Sequence, residues 1–367
     1  MKNLFQALSS FNNQQDYILA VITDTQGSTY QKAGAMMIID SNYNYWGLLT
    51  GGCLEADLHY HCQQVFSQQV DQQLVYDLRS EDDLVWGMGL GCEGALNLLL
   101  KFLPAQHDHY HFFHILQKVA DGEAYQMQIK TSGSFLIPNP TLQEGKKNIS
   151  DKEEPSDYQN AINLKSDNIF TITFSNSHKA NVQPQLLRQN NQQLLQIPLT
   201  PPHHLLICGA TPDVTPVTAI AKQLGWKVSV IDHRPSYAQP QNFPAAHQVN
   251  LVKRSQWKNY DLTTVDSVVI MSHHYEQDKA YLHRLLNTPI PYIGLLGPAQ
   301  RRDKLLKACA TNIHQQQQRI YGPVGLPIGA TSPESIALAI VAEIQSVLSQ
   351  RSANQPLSLA SSKVITL

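Results

Sequence analysis

The sequence has few charged residues and lacks a basic stripe, a long apolar run and paired cysteines. Aspartate, glutamate, lysine and arginine make up only 15% of the 367 residues, and the formal net charge is −2. Nucleic-acid-binding proteins carry clustered basic residues, so the composition argues against a nucleic-acid partner. No apolar run approaches the ~20 residues of a membrane-spanning helix, and the residues after Met1 lack the apolar region of a signal peptide. We therefore expect no membrane association.

The cysteines form an odd set of five, widely spaced and without a CxxC pair. This pattern argues against a disulfide framework or a zinc ribbon and favours a reducing compartment, so we expect the protein in the cytoplasm. The chain is longer than a usual single domain of roughly 100–200 residues, which predicts two domains. The cysteines are Cys53, Cys62, Cys92, Cys208 and Cys309.

Three zones and a tail differ in composition along the chain. Residues 1–137 mix short strand and helix patterns, which predicts an N-terminal mixed α/β domain. Residues 138–200 are rich in glutamine and asparagine and indicate a variable connecting segment, in which 170–174 forms an isolated strand. Residues 201–350 alternate strand and helix signals, which predicts a Rossmann-like parallel sheet with helices on both faces, and 351–367 form a C-terminal tail. The fold class is therefore α/β.

The start of the third zone resembles a dinucleotide-binding turn, but only in part. Gly209 follows the first strand and Asp232 ends the second, as such a site requires, yet the second and third glycines of GxGxxG are missing. We predict a loop over 210–214 and a helix that begins at Pro216, because proline suits a first helical position. Two interpretations stay open here: a nucleotide site, or a Rossmann-shaped scaffold that has lost it.

Two cysteines of the first zone lie among glycines. Cys53 follows two glycines directly before a helix pattern, where the helix dipole lowers a thiol pKa and favours the thiolate. Cys92 lies among four glycines, which pack poorly in a core and are typical of a loop over a bulky ligand. The alternative for each is a structural cysteine beside a tight turn. Cys62 differs, because its helical spacing from Leu58 and Val65 predicts a core position.

Histidines are frequent in the first zone, but their acidic neighbours are sparse. A metal site needs fixed geometry and supporting hydrogen bonds, so we interpret these histidines as solvated surface residues. They are His59, His61, His107, His109, His111 and His114.

Stretches in both end zones together resemble the XdhC/CoxI family, the accessory proteins of xanthine and carbon monoxide dehydrogenases. The resemblance leaves the middle zone uncovered. In the first zone it rests on Thr25-Gln26-Gly27-Ser28, Gly34-Ala35, Gly51-Gly52-Cys53-Leu54-Glu55 and Gly89-Leu90-Gly91-Cys92. In the third zone it rests on Leu206-Ile207-Cys208-Gly209-Ala210, on Val230-Ile231-Asp232-His233-Arg234-Pro235, on Met271-Ser272-His273-His274-Tyr275-Glu276, on Tyr292-Ile293-Gly294-Leu295-Leu296-Gly297 with Arg301-Arg302, and on 322–330.

The resemblance implies a chaperone-like maturation factor that is not an enzyme. Such proteins bind the molybdenum cofactor, as molybdopterin or a dinucleotide form, while a cysteine desulfurase partner installs a sulfido ligand, and they deliver it to a xanthine dehydrogenase type molybdoenzyme. It also implies a homodimer, with Cys53 and Cys92 contacting molybdenum and the third zone holding the phosphate or nucleotide end. The implied cofactor-binding residues are Gln26, Gly27, Ser28, Gly51, Gly52, Cys53, Glu55, Gly91 and Cys92, then Gly209, Ala210, Asp232, Arg234, His273, Gly294, Gly297, Arg301 and Arg302.

Two other hypotheses compete with this one. An NAD(P)-dependent oxidoreductase would use the Rossmann-like zone, with His273 as its evident proton donor. A structural scaffold would bind neither ligand. The incomplete glycine motif weighs against ordinary NAD binding.

Overall fold

The chain divides into two compact units, Met1–Pro201 and Pro202–Leu367, in the computed structural model. The structure describes residues 4–51, 54–77, 94–131, 164–165, 170–176, 184–189, 192–309 and 317–349. Among these residues, no helix combines the length and the apolar character needed to span a bilayer. Short 3-10 turns occupy Leu4–Ser10, Ala105–His111, Pro240–Asn242 and Gln317–Arg319.

The first sheet of the N-terminal unit contains six strands in the order β3-β2-β1-β5-β4-β7, and each neighbouring pair is antiparallel. Its central strand β1 is covered on both faces, because alternate residues enter two different cores. Helix α1 (Glu55–Gln68) packs on one face and α2 (Phe112–Ala120) on the other. The strands are β1 Tyr17–Gly27, β2 Met36–Asp40, β3 Tyr45–Gly47, β4 Gln72–Asp77, β5 Gly94–Leu103 and β7 Leu164–Lys165.

Cys62 of α1 lies in the core between this helix and the sheet, as its spacing predicts. It is 1% exposed, and burial raises the pKa of its thiol to about 12. A thiol with so high a pKa stays protonated at neutral pH and is a poor nucleophile or metal ligand. Cys62 is therefore a structural residue.

The second sheet of the N-terminal unit corrects the interpretation of the middle zone. Much of what 138–200 contributes to the described chain is strand, and the predicted isolated strand pairs with β6 over seven residues. Leu195 and Ile197 enter the same core as Tyr17. Glutamines alternate with these apolar residues, so a half-buried strand resembles a polar linker in composition. The sheet order is β8-β6-β10-β9, with β6 Tyr125–Thr131, β8 Phe170–Asn176, β9 Gln185–Gln189 and β10 Gln192–Leu199.

The interpretation of the histidines as surface residues is wrong at two positions. His61 and His109 are buried, and His109 Nε2 lies 2.9 Å from the Gln15 carbonyl oxygen. The ring of His109 packs edge-on against Tyr17 and Phe113, which explains its burial. Within the described ranges, no group of three or more His, Cys, Asp and Glu side chains is arranged to hold a metal ion.

The C-terminal unit is a parallel sheet of six strands in the order β13-β12-β11-β14-β15-β16. This order is the doubly wound order of Rossmann folds, with its reversal between β11 and β14. The strands are β11 His204–Cys208, β12 Lys227–Asp232, β13 Gln248–Leu251, β14 Ser267–Ile270, β15 Tyr292–Leu295 and β16 Ile320–Tyr321.

Helices cover both faces of this sheet, which confirms the predicted architecture. Alternate residues of β11 enter two cores, Leu205 and Ile207 on one face and Leu206 and Cys208 on the other. The first core is closed by α3 (Val214–Gln223) and α7 (Pro333–Leu348). The second is closed by α4 (Arg254–Trp257), α5 (Tyr275–Leu285) and α6 (Ala299–Cys309).

Helix α3 begins two residues before the predicted start. Its first residue is Val214, so Pro216 lies in the first turn rather than at the first position. The first four N–H groups of a helix have no partner inside the helix, and proline is tolerated there for the same reason. The loop after β11 is correspondingly shorter than predicted.

Candidate functional site

The carboxyl ends of β11, β12 and β14 collect most of the predicted site residues of the C-terminal unit. In open α/β sheets ligands bind at this edge, beside the strand where the order reverses. Gly209 and Ala210 follow β11, Asp232 ends β12, and His273 follows β14 by three residues. Three pairs of a basic and an acidic side chain are built among these strand ends and the helices that follow them.

The first pair joins Asp232 to Arg234. The carboxylate is fully buried and accepts four hydrogen bonds: from the backbone N–H groups of Ala210 and Arg234, both at 2.9 Å, and from Arg234 Nε at 2.9 Å and Nη2 at 2.7 Å. Burial alone would raise the pKa of Asp232, but the hydrogen bonds from Arg234 and Ala210 outweigh it and lower that pKa. Both oxygens are thus occupied by donors of the protein itself.

The guanidinium group of Arg234 is held in one orientation. It stacks on Tyr237, with its central carbon 3.8 Å from the ring centroid, and Nη2 also lies 3.4 Å from the Ser272 carbonyl oxygen. Nη1 has no hydrogen-bond partner among the described residues, and the side chain is 28% exposed. One edge of the guanidinium therefore binds Asp232, and Nη1 of this partly exposed side chain keeps donors that the described residues do not use.

The second pair joins Asp278 of α5 to Arg301 of α6. Arg301 Nη2 donates to Asp278 Oδ2 at 2.7 Å, and the Ser272 hydroxyl donates a short hydrogen bond to Asp278 Oδ1. Asp278 and Ser272 are buried, whereas Arg301 is partly exposed. The arginine stem crosses Gly297, whose positive φ of 113° suits glycine and where a Cβ would lie 2.9 Å from Arg301 Cδ.

The third pair joins the turn after β11 to the turn after β14. His273 Nε2 lies 2.8 Å from Asp213 Oδ2, so this carboxylate is paired with an imidazole. Gly209 brings the two turns together: its φ is 136°, and a Cβ there would lie 2.4 Å from the Met271 carbonyl oxygen. Only glycine fits this approach.

Two predicted residues of the C-terminal unit are placed elsewhere. Gly294 is the third residue of β15, and a Cβ there would lie 2.6 Å from Val324 Cγ2. It serves close packing inside the unit. Arg302 Nε donates to Asp303 at 2.8 Å and its Nη1 donates to the Gly322 carbonyl, so it braces a neighbouring loop.

In the N-terminal unit, the described parts of the predicted site meet at one turn. Gln26 and Gly27 end β1, and Ser28 begins the turn that follows. A Cβ at Gly94 would lie 2.4 Å from the Ser28 carbonyl oxygen, and a Cβ at Gly51 would lie 3.3 Å from the Tyr30 ring. Gly52, Cys53, Gly91 and Cys92 lie outside the described residues, and of Glu55 only its place as the first residue of α1 is described.

Sequence reasoning missed Ser272, Asp278 and Tyr237. Ser272 stands within a quoted motif stretch, but nothing in the sequence pairs Asp278 with an arginine 23 residues away. Tyr237 follows Arg234 by three residues, a spacing that would have suggested contact only within a helix.

Comparison with known proteins places the chain in a family. Residues 205–344 match the XdhC Rossmann domain, and residues 11–77 match the XdhC and CoxI family. The chain is 30% identical over 344 residues to a Bacillus subtilis (strain 168) protein named as a probable xanthine dehydrogenase subunit, covering 90% of this chain and 93% of that protein. It is 26% identical over 149 residues to the Escherichia coli (strain K12) protein named "Uncharacterized protein YqeB", covering 39% of this chain and 27% of that protein.

A solved structure agrees with this placement. A crystal structure described as a xanthine dehydrogenase from Bacillus halodurans matches with a TM-score of 0.71 and 29% identity, covering 97% of this chain and 98% of that chain. The match therefore extends over both units and the strands between the two family segments. The resemblance read from the sequence motifs is confirmed, and the chain belongs to the XdhC and CoxI family.

Proposed function

We propose that this protein is an accessory factor of a xanthine dehydrogenase type molybdoenzyme. It binds the molybdenum cofactor, supports its sulfuration by a cysteine desulfurase and delivers it to the enzyme, acting in the cytoplasm as a homodimer. The observation that carries the proposal is family membership through both units, together with a relative of nearly the same length whose name is that of a xanthine dehydrogenase component. A non-catalytic role agrees with a strand-end edge at which acidic groups are paired with basic ones.

The donor groups of the chain suit the chemistry of this cofactor. Thiolates are the preferred protein ligands of soft metal centres, and Cys53 and Cys92 would supply them. In the C-terminal unit, considered by itself, Arg234 and Arg301 offer unused guanidinium donors that suit a phosphate group. Bound molybdenum would supply the redox centre of the client enzyme, while this chain supplies only ligands and protection.

The neighbours of the two cysteines support a shared site in the N-terminal unit. Gly51 stands two residues before Cys53, and Gly94 stands two residues after Cys92. A Cβ at Gly51 would lie 3.3 Å from the Tyr30 ring, and a Cβ at Gly94 would lie 2.7 Å from Thr29 Cγ2, so both glycines approach the same turn. This shared approach supports the proposal that the two cysteines act on one ligand.

The oxidoreductase hypothesis receives no support from the site. Its ribose acceptor would be Asp232, but four internal hydrogen bonds already fill the two oxygens. His273, its proton donor, is paired with Asp213.

Molybdenum content tests the proposal directly. The full chain, purified from a molybdate-supplied host, should contain molybdenum in stoichiometric proportion to cofactor released on denaturation. Cys53→Ala and Cys92→Ala together should remove the metal, because neutral methyl groups cannot ligate it. Cys309→Ala is the matched control, since Cys309 is a free, partly buried cysteine of the other unit. Full molybdenum retention in the double variant would contradict the proposal, as would an unchanged yield of active xanthine dehydrogenase in cells lacking the protein.

A further inference from the structure

The acidic residue that normally reads a nucleotide at this edge is covered by a cation. In dinucleotide-binding Rossmann folds the acidic residue at the end of the second strand accepts hydrogen bonds from ribose hydroxyls. Here Asp232 is fully buried, and Arg234 covers it through a two-pronged hydrogen bond. A ligand that reaches the end of β12 therefore meets hydrogen-bond donors and positive charge instead of a carboxylate acceptor.

Ser272 connects this cation to a second one. Its carbonyl oxygen lies 3.4 Å from Arg234 Nη2, and its hydroxyl donates to Asp278, which in turn holds Arg301. The two guanidinium groups thus flank the end of β14, each anchored by a buried carboxylate. Because the buried carboxylates already orient both guanidinium groups in the unliganded protein, little side-chain entropy is lost when a ligand binds.

Each guanidinium keeps donors that the described residues do not use. Arg234 has Nη1 free of hydrogen bonds to them, and Arg301 bonds to them through Nη2 alone, with its central carbon 5.8 Å from the Tyr275 ring centroid. Helix α5 begins at Tyr275 after the turn that holds Ser272, and the His274 side chain caps it by accepting from the Gln277 N–H. Lys304 lies over the same tyrosine at 5.1 Å and adds positive charge.

We propose that this edge is a receptor for a phosphate dianion held between Arg234 and Arg301, and that it does not read the ribose of a nucleotide. Under the proposed function, on which this naming of the ligand rests, the cofactor bound here ends in a phosphate monoester rather than in a nucleotide. Asp232, Asp278 and Ser272 are positioning residues that orient the two arginines.

Calorimetric titration of the full chain with simple probes tests the receptor. The probes are inorganic phosphate, phenyl phosphate, adenosine and NAD. Phosphate and phenyl phosphate should compete for one site, adenosine should not bind, and NAD should bind more weakly than phenyl phosphate because it lacks a monoester. Tighter binding of phenyl phosphate than of inorganic phosphate assigns the site to an organic monoester, whereas the reverse order assigns it to free phosphate.

Lysine variants keep the buried carboxylates paired and so protect the fold. Arg234→Lys and Arg301→Lys should each weaken phenyl phosphate binding by about tenfold or more, because lysine cannot bond its carboxylate and the ligand through two edges. Lys307→Met removes one positive charge from the last turn of α6 and should leave the affinity unchanged. Thermal unfolding of every variant shows whether the fold is retained.

Three results would overturn the receptor: no phosphate or phenyl phosphate binding at millimolar concentration, tight adenosine or NAD binding, or unchanged affinity in the folded double lysine variant. Molybdenum bound through Cys53 and Cys92 in a protein that fails these tests would leave the proposed function standing. Phosphate binding by a protein that contains no molybdenum would support the receptor and contradict the proposed function. The failure of either proposal can therefore be told from the failure of the other.

Discussion

Acid should weaken the C-terminal unit through two neighbouring histidines at the start of β11, the partly buried His203 and the buried His204. His204 Nε2 lies 2.7 Å from the Ser229 hydroxyl and Nδ1 lies 3.0 Å from the Thr264 carbonyl oxygen, while His203 Nε2 lies 2.7 Å from the Ser267 hydroxyl. Burial, and then the charge of His204, lowers the pKa of His203 to about 4. Burial, and then the charge of Lys227, lowers the pKa of His204 to about 4.

The sign of the effect follows from these values. In the unfolded chain histidine has a pKa of about 6.5, so between about pH 6.5 and about pH 4 the unfolded chain binds more protons than the folded chain. The free energy of unfolding therefore decreases as the pH is lowered across that window. Each histidine should reduce the free energy of unfolding by about 2 kcal/mol at about pH 5, and by about 3 kcal/mol at about pH 4. Burial raises the pKa of Asp266, which offsets part of the loss at the acid end.

Urea unfolding at about pH 7.5 and about pH 5 measures the difference through the m-value extrapolation. Trp226 packs against His203 with 4.6 Å between ring centroids, so its fluorescence reports on this region. Replacing Trp46 and Trp86 by phenylalanine removes the tryptophan emission of the other unit. Equal stability at the two pH values would refute the reasoning, and so would an unchanged pH slope in His203→Gln/His204→Gln.

Two substitutions test the architecture of the strand-end edge. Gly209→Ala should destabilise the C-terminal unit by about 3 kcal/mol or more in thermal unfolding, because a Cβ would collide with the Met271 carbonyl and φ is positive; Gly329→Ala, with open space around it, should cost only about 1 kcal/mol. Asp278→Asn should cost about 3 kcal/mol and raise the mobility of Arg301, because one partner of a buried ion pair is lost; a crystal structure of the variant with Arg301 unmoved would contradict this.

The sequence by itself determined the local features of this protein. Alternation of strand and helix predicted the parallel sheet, helical spacing placed Cys62 in the core, and a set of ordered motifs identified the family. Each of these signals depends on residues close together along the chain, because periodicity and turn chemistry are properties of short segments. The close approach of Gly209 to the Met271 carbonyl was also indicated in the sequence, by a glycine directly after the strand.

Only the tertiary structure decided which charges meet at the site. Asp232 carries the sequence signature of a ribose acceptor, but its hydrogen bonds to Ala210 and Arg234 show it to be a buried anchor. The Asp278–Arg301 pair and the link through Ser272 join segments 23 and 38 residues apart, and no periodicity records such distances. The strands of the glutamine-rich middle zone were not predicted for a related reason. Whether a strand is half-buried depends on the sheet that it joins, and composition alone does not identify that partner.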